Sequence, residues 1–215
     1  MIILTAKIYI SEDKWIDIDR SNLLAMESSI FDRSDLKMPS FGIISNVGNI
    51  EFGDSDGRVL RYAEELKLQE GQKCEIWLTN TLVEEASQLI ATMQTNEWDY
   101  DNDARTVSVS LKDNLEEWQE IQVKGLYLDI DIPILTIREI YKHLYSITKK
   151  QGYDIQGFTE LDANTKEVFN TKSIAYPIIK EGTLWQVWTN FCNAFLTQIY
   201  VNPNGRICCK YEGGG

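Results

Sequence analysis

The acidic run Glu97-Trp-Asp-Tyr-Asp-Asn-Asp103 sets carboxylates at alternate positions. Asp99, Asp101 and Asp103 have the spacing with which a calcium loop opens, because oxygen ligands at positions one, three and five converge on a hard cation. The pattern then breaks. Ala104 stands where the sharp turn needs glycine, and Ser110 stands where a bidentate glutamate closes the shell. A solvated turn between two strands accounts for the run, since Asp and Asn tolerate turn geometry. Asp54-Ser-Asp-Gly57 is a second calcium-like fragment without a later glutamate at the required offset, and it too reads as a turn. His143 is the one histidine, and it sits beside the apolar stripe of a helix. A lone imidazole builds no histidine-rich metal site, and no nucleophile motif accompanies it, so it reads as a boundary residue. Cys74, Cys192, Cys208 and Cys209 lack C-x-x-C spacing. Neighbouring Cys208 and Cys209 would point to opposite faces of a strand, so the four are expected as free, partly buried thiols. Trp77, Trp98, Trp118, Trp185 and Trp188 could include a sugar-stacking platform, although core or interface positions suit most of them. No G-x-S-x-G, Walker, dinucleotide or H-E-x-x-H motif occurs. A carboxylate pair for glycoside cleavage depends on a distance in space, and the sequence singles none out. No catalytic, cofactor-binding or metal-binding residue is assigned, and the chain is read as a non-enzyme.

The 215 residues suffice for one large domain or two small ones, and 43% hydrophobic content supports a packed core. A formal net charge of -12 disfavours direct nucleic-acid binding, which needs clustered Lys and Arg. It also disfavours an anionic membrane surface. An acidic lining could suit a channel through which a polyanion passes without sticking; general solubility is the simpler account. No charged-then-apolar leader opens the sequence, and no stretch reaches the length of a membrane span. Synthesis in a cytoplasm is expected, without a direct membrane anchor.

To about Val123 the hydrophobic period is two. Ala6 to Ile10, Trp15 to Asp19, Phe41 to Ile44, Asn49 to Phe52, Cys74 to Leu78 and Thr106 to Leu111 read as strands. Gln88 to Trp98 leans the same way, and a short helix falls near Val59 to Leu66. After Pro133 the period becomes helical. Thr136 with Glu139, and Thr183 with Gln186, have capping-box spacing. The first opens a helix lined by Ile137, Ile140, Tyr141, Leu144 and Ile147, which Gly152 ends. The second opens an aromatic helix with Leu184, Val187, Trp188, Phe191 and Phe195 on one stripe. Asn204-Gly205 then supplies the positive φ of a short hairpin. Thr159 to Thr171 reads as a polar segment, and the strand from Arg206 to Tyr211 is expected to need a partner. The resulting fold class is β-rich α+β. Residues 1-124 form an N-terminal β-barrel, and residues 125-215 form a small α+β domain with two amphipathic helices and a hairpin.

Three segments in this order resemble tail hub proteins of tailed bacteriophages. That family takes in siphophage tail-associated proteins, baseplate hubs of contractile tails and type VI secretion spikes. The segments are Arg105-Thr-Val-Ser-Val-Ser-Leu-Lys-Asp-Asn-Leu-Glu-Glu-Trp118, Thr136-Ile-Arg-Glu-Ile-Tyr-Lys-His-Leu-Tyr145, and Glu181 through Tyr200-Val-Asn-Pro-Asn-Gly-Arg-Ile207. Pro39-Ser-Phe-Gly-Ile-Ile-Ser45 and Ile50-Glu-Phe-Gly-Asp-Ser-Asp-Gly57 are similar to the opening strands of siphophage-type hubs. The resemblance implies a virion structural protein of the tail tip, a homotrimer of barrel-bearing subunits that closes the tail tube. It implies distal tail ring, tape-measure and tail-fibre proteins as partners, with DNA only passing through the lumen. Hubs carry a second barrel after the helix-hairpin unit, so these residues are expected to be the N-terminal part of a hub or a reduced relative. The alternatives are a carbohydrate-binding or cell-wall-degrading tail module, and a distal tail ring protein.

Overall fold

The computed structural model describes residues 2–28, 42–65, 67–80, 86–124, 134–175 and 181–213. Leu66, Pro39 to Phe41, the expected boundary from Gly125 to Pro133, and Gly214-Gly215 lie outside them. Along the first half run β1 (Ile2–Ser11), β2 (Lys14–Ile18), β3 (Leu23–Ser28), β4 (Gly42–Ile44), β5 (Val47–Gly53), α1 (Arg58–Glu64), β6 (Lys73–Asn80), β7 (Ala86–Asp101) and β8 (Thr106–Lys112). The second half holds β9 (Gln122–Val123), β10 (Ile134–Thr136), α2 (Ile137–Lys150), α3 (Ala163–Thr171), β11 (Ser173–Ala175), β12 (Gly182–Thr183), α4 (Leu184–Phe195), β13 (Thr197–Val201) and β14 (Ile207–Tyr211). The chain divides into two compact units whose ranges interleave. One takes Met1–Asp35, Asn46–Asn114 and Pro203–Gly205, the other Leu36–Ser45, Leu115–Asn202 and Arg206–Gly215.

The first unit is one antiparallel sheet of seven strands, ordered β2-β1-β6-β7-β8-β5-β3. Period two in the sequence becomes a buried face: Ile8, Ile50, Phe52, Cys74, Ile76 and Val109 all point into the core. The end strands β2 and β3 are joined by four residues. There Leu23 N donates to the Asp19 carbonyl at 2.8 Å, and Asn22 Nδ2 donates to the Asp17 carbonyl at 3.1 Å. Strands so joined must approach each other at this turn, so the sheet curls. It does not close: among the described residues no ladder links β2 to β3, and no closed barrel forms. The side-chain bonds within Asp19–Asn22 and the register shift between Leu23 and Ala25 turn the chain out of ladder geometry. That shift also hides β3 from a periodicity count, because alternation is broken at its start. At the far end of the unit, buried Asn46 and Asp113 tie β5 to β8. Asp113 Oδ2 accepts from Asn46 N at 2.6 Å and from Asn46 Nδ2 at 3.0 Å.

The second unit packs α2, α3 and α4 with a three-stranded sheet, β14-β13-β4. Both expected capping boxes are formed, with Glu139 N donating to Thr136 Oγ1 and Gln186 N to Thr183 Oγ1. Gly152 follows α2 at φ +93°, where a side chain would be strained. The sequence places Phe41 to Ile44 among the barrel strands. Instead β4 pairs parallel with β13, Ile43 opposite Ile199, and belongs to this unit. Nothing local encodes such a pairing, because its partner lies in the last tenth of the chain. The polar segment from Thr159 contains α3, capped by Asp162, whose Oδ1 accepts from Thr165 N at 2.9 Å. Its signal was the four-residue spacing of Leu161, Thr165 and Phe169, all buried. Of Asn204-Gly205 only Gly205 takes positive φ, +80°, within a loop closed by Asn202 N to the Arg206 carbonyl at 2.9 Å. The β14 edge is sealed within its own unit. Ile207 N donates to the Asp154 carbonyl at 2.9 Å, Cys209 N to Gln156 Oε1 at 3.4 Å, and Tyr211 N to Thr165 Oγ1 at 2.9 Å. An edge whose donors are taken needs no further strand.

Leu196 ends α4 in the left-handed region, at φ 52°. A Cβ there costs about 1–2 kcal/mol, more for a β-branched side chain. Leu196→Gly should therefore melt higher than Leu196→Val by about that amount, read from paired thermal denaturation curves.

Candidate functional site

The structure disperses the candidate ligands. In the β7-β8 turn, Asp101 Oδ1 accepts from Asp103 N and Ala104 N, both at 2.9 Å. Asp99 belongs to the strand itself. Asp101 thus shapes a turn between the two strands, as expected, while Asp99 precedes it in β7. Asp54 is buried and caps α1: its Oδ1 accepts from Val59 N at 3.1 Å and its Oδ2 from Leu60 N at 3.0 Å. Asp56 accepts from Arg58 N, and Gly57 takes φ +64°. Among the described residues no group of three His, Cys, Asp or Glu could hold a metal ion. His143 is half-buried on α2. Burial, then Lys150, lowers its pKa, so the neutral imidazole is favoured. Trp118 and Trp188 are fully buried and stack on each other at 6.0 Å, so neither is a surface platform.

All four cysteines are free and buried. Burial pushes the Cys74 thiol up to about 12, with Glu75 adding to it, and pushes Cys192 up to about 12. Both ordinary values are 9.0, so the folded protein holds its thiol protons more tightly than the unfolded chain. The associated stability is complete below pH 9 and is lost as pH rises towards 12. Each thiol should remove about 1.4 kcal/mol per pH unit in that window. Urea midpoints measured from pH 8 to 11 should fall, and the Cys74→Ala, Cys192→Ala double variant should fall less.

The outward side of β3, β5, β8 and β7 is built differently from the core side. Register sets Ala25, Glu51, Ser108 and Asp99 in one row, and Glu27, Asn49 and Ser110 in the next. Ser108 Oγ donates to Asn49 Oδ1 at 3.1 Å, and Glu97 N donates to Ser110 Oγ at 3.0 Å. Glu27, Glu51, Glu97, Asp99 and Asp101 make no ion pair with any described residue. The result is a smooth face of short hydroxyl and amide side chains under uncompensated negative charge. Such a surface repels polyanions.

These features define a β-rich α+β protein. No protein-family model matches the chain. No curated protein matches it. Solved structures that share its fold include two described as tail proteins. The tail protein from Neisseria meningitidis MC58 aligns with TM-score 0.54 and 14% identity over 97% of this chain and 50% of its own. The 43 kDa tail protein of prophage MuSo2 from Shewanella oneidensis aligns with TM-score 0.51 and 11% identity, over 98% of this chain and 56% of its own. At these identities the likeness is one of fold. The chain spans about half the length of both proteins.

Proposed function

We propose that this chain is a structural component of a phage or phage-like tail, a baseplate hub at the tail tip. The observation that carries this reading is the fold likeness over nearly the whole chain to two proteins described as tail proteins. In this reading the chain works without catalysis. The curled sheet of the first unit is the tube-forming, barrel-like part, and copies of it join as a homotrimer that closes the tail tube. The distal tail ring, tape-measure and tail-fibre proteins are its neighbours in the virion. The acidic face of β3, β5, β8 and β7 supports the same reading, since DNA passing along such a surface would not adhere.

Native mass spectrometry and negative-stain images of the purified chain test it. A threefold ring is the expected result. A strict monomer that never joins a ring or a tail would overturn the hub assignment, and a sixfold ring would replace it with a distal tail ring protein. A zymogram on cell walls should stay clear of lytic bands.

A further inference from the structure

Strands β1, β6 and β7 run past their neighbours in the first unit. Among the described residues β2 pairs with β1 only from Ala6 onward, and β8 pairs with β7 only from Gln94 onward. Short of those points, Ile3 to Thr5, Trp77 to Thr79 and Ser87 to Ile90 form a three-stranded arm held by its own ladders. An antiparallel sheet commonly has one apolar face and one wet one. This arm is apolar on both. Trp77 stands opposite Thr5 and Leu89, and Ile3, two residues from Thr5, shares their outward side. Leu4 and Leu78 stand opposite each other on the other side, which continues the line of Ala6 and Ile76 beyond the core. Ile3, Leu4, Trp77, Leu78 and Leu89 are half-buried, and none of them belongs to or packs against either hydrophobic core of the described residues. No residue of the arm is charged, in a chain of net charge -12. A contiguous apolar surface of this kind marks a site of association.

We propose that the arm is the contact between copies of this chain, with the Trp77 face of one arm packed on the Leu78 face of the next. Charge chooses a second copy as the occupant. Copies that each carry -12 repel where their acidic surfaces meet, and on the arm they meet without a charge. A cationic partner would be drawn instead to the carboxylates of β3, β5, β8 and β7. Two different apolar faces on one arm make the contact heterologous, so copies join head to tail and close into a ring. A single apolar face would match itself and stop at a dimer. The same contact covers the arm's open ladder edges, whose N–H and C=O groups would otherwise accept any passing strand. The proposal rests on the tail-hub reading for the number of copies and goes beyond it by naming the surface that joins them.

The full chain is followed through a dilution series by sedimentation velocity and native mass spectrometry. The unmodified chain should form a closed ring. Added sodium chloride should favour the ring, because screening weakens the repulsion between acidic copies and leaves an apolar contact in place. Leu89→Glu and Leu78→Glu put a carboxylate on each face in turn, and each should raise the concentration of half-dissociation at least about tenfold. Glu51→Gln, on the acidic face, should not raise it. If the arm variants fail to fold, amide exchange of the unmodified chain decides: Ile3 to Thr5 and Ser87 to Ile90 should exchange more slowly in the ring than in the dilute chain. A ring that both folded variants leave intact, a ring that salt disperses, or protection gained only outside the arm would each overturn the proposal and leave the tail-hub reading standing. A ring of another number that the variants break up would overturn the threefold reading and leave the arm standing. A chain that stays monomeric would overturn both.

Discussion

Replacing Trp188 with alanine should destabilise the second unit by about 3–5 kcal/mol, the range for emptying a large aromatic site in a core. Trp188 is fully buried, stacked on Trp118 at 6.0 Å and edge-on to Tyr141 at 5.8 Å and Phe191 at 5.4 Å. Its Nε1 donates to Thr148 Oγ1 at 2.9 Å, and that hydroxyl donates to the Leu144 carbonyl at 2.9 Å. Alanine therefore leaves a cavity among rings and removes the indole donor from a buried hydroxyl. Trp188→Phe separates the two effects. It keeps much of the packing and loses the N–H, so it should cost about 1 kcal/mol for the hydrogen bond plus whatever the smaller ring leaves unfilled. Urea unfolding followed by far-ultraviolet circular dichroism gives both numbers. Equal losses for the two substitutions would mean that the hydrogen bond, rather than the stack, dominates.

The second large effect belongs to Asp113. It is 1% exposed, and its Oδ2 accepts both the backbone N–H and the side-chain amide of Asn46. Asp113→Ala leaves these two buried donors without that acceptor, at about 1–3 kcal/mol each, so a loss of about 2–6 kcal/mol is expected. Asp113→Asn retains an acceptor oxygen and should lose less. Amide exchange locates the damage: protection should drop first in β5 and β8, which the pair ties together. Uniform loss across the first unit would instead mark Asp113 as part of its global core.

Much of this could be read from the chain, and the exceptions share a cause. The capping boxes at Thr136 and Thr183, and the alternation of β8, are local patterns that tertiary structure had no reason to override. Strand β3 escaped because its register shift breaks the alternation, and α3 because its stripe is short and partly threonine. Candidate chemistry was harder. The aspartate runs drew attention by spacing, yet each oxygen that matters there turned out to serve a turn or a helix end. Glu75 drew none, because a carboxylate in a strand has no motif. Its hydrogen-bond partner Tyr9 lies 66 residues away in sequence.

The pairing of β4 with β13 sets an order of events during synthesis. Ile43 leaves the ribosome early and must wait for Ile199, its partner across the ladder, to be made. Until then three residues of an otherwise self-contained sheet have nowhere to lie. Closing so long a loop is slow. The second unit should therefore be the last part of the molecule to become resistant to proteases, and a piece cut to begin at Leu115 would lack a strand of its own sheet.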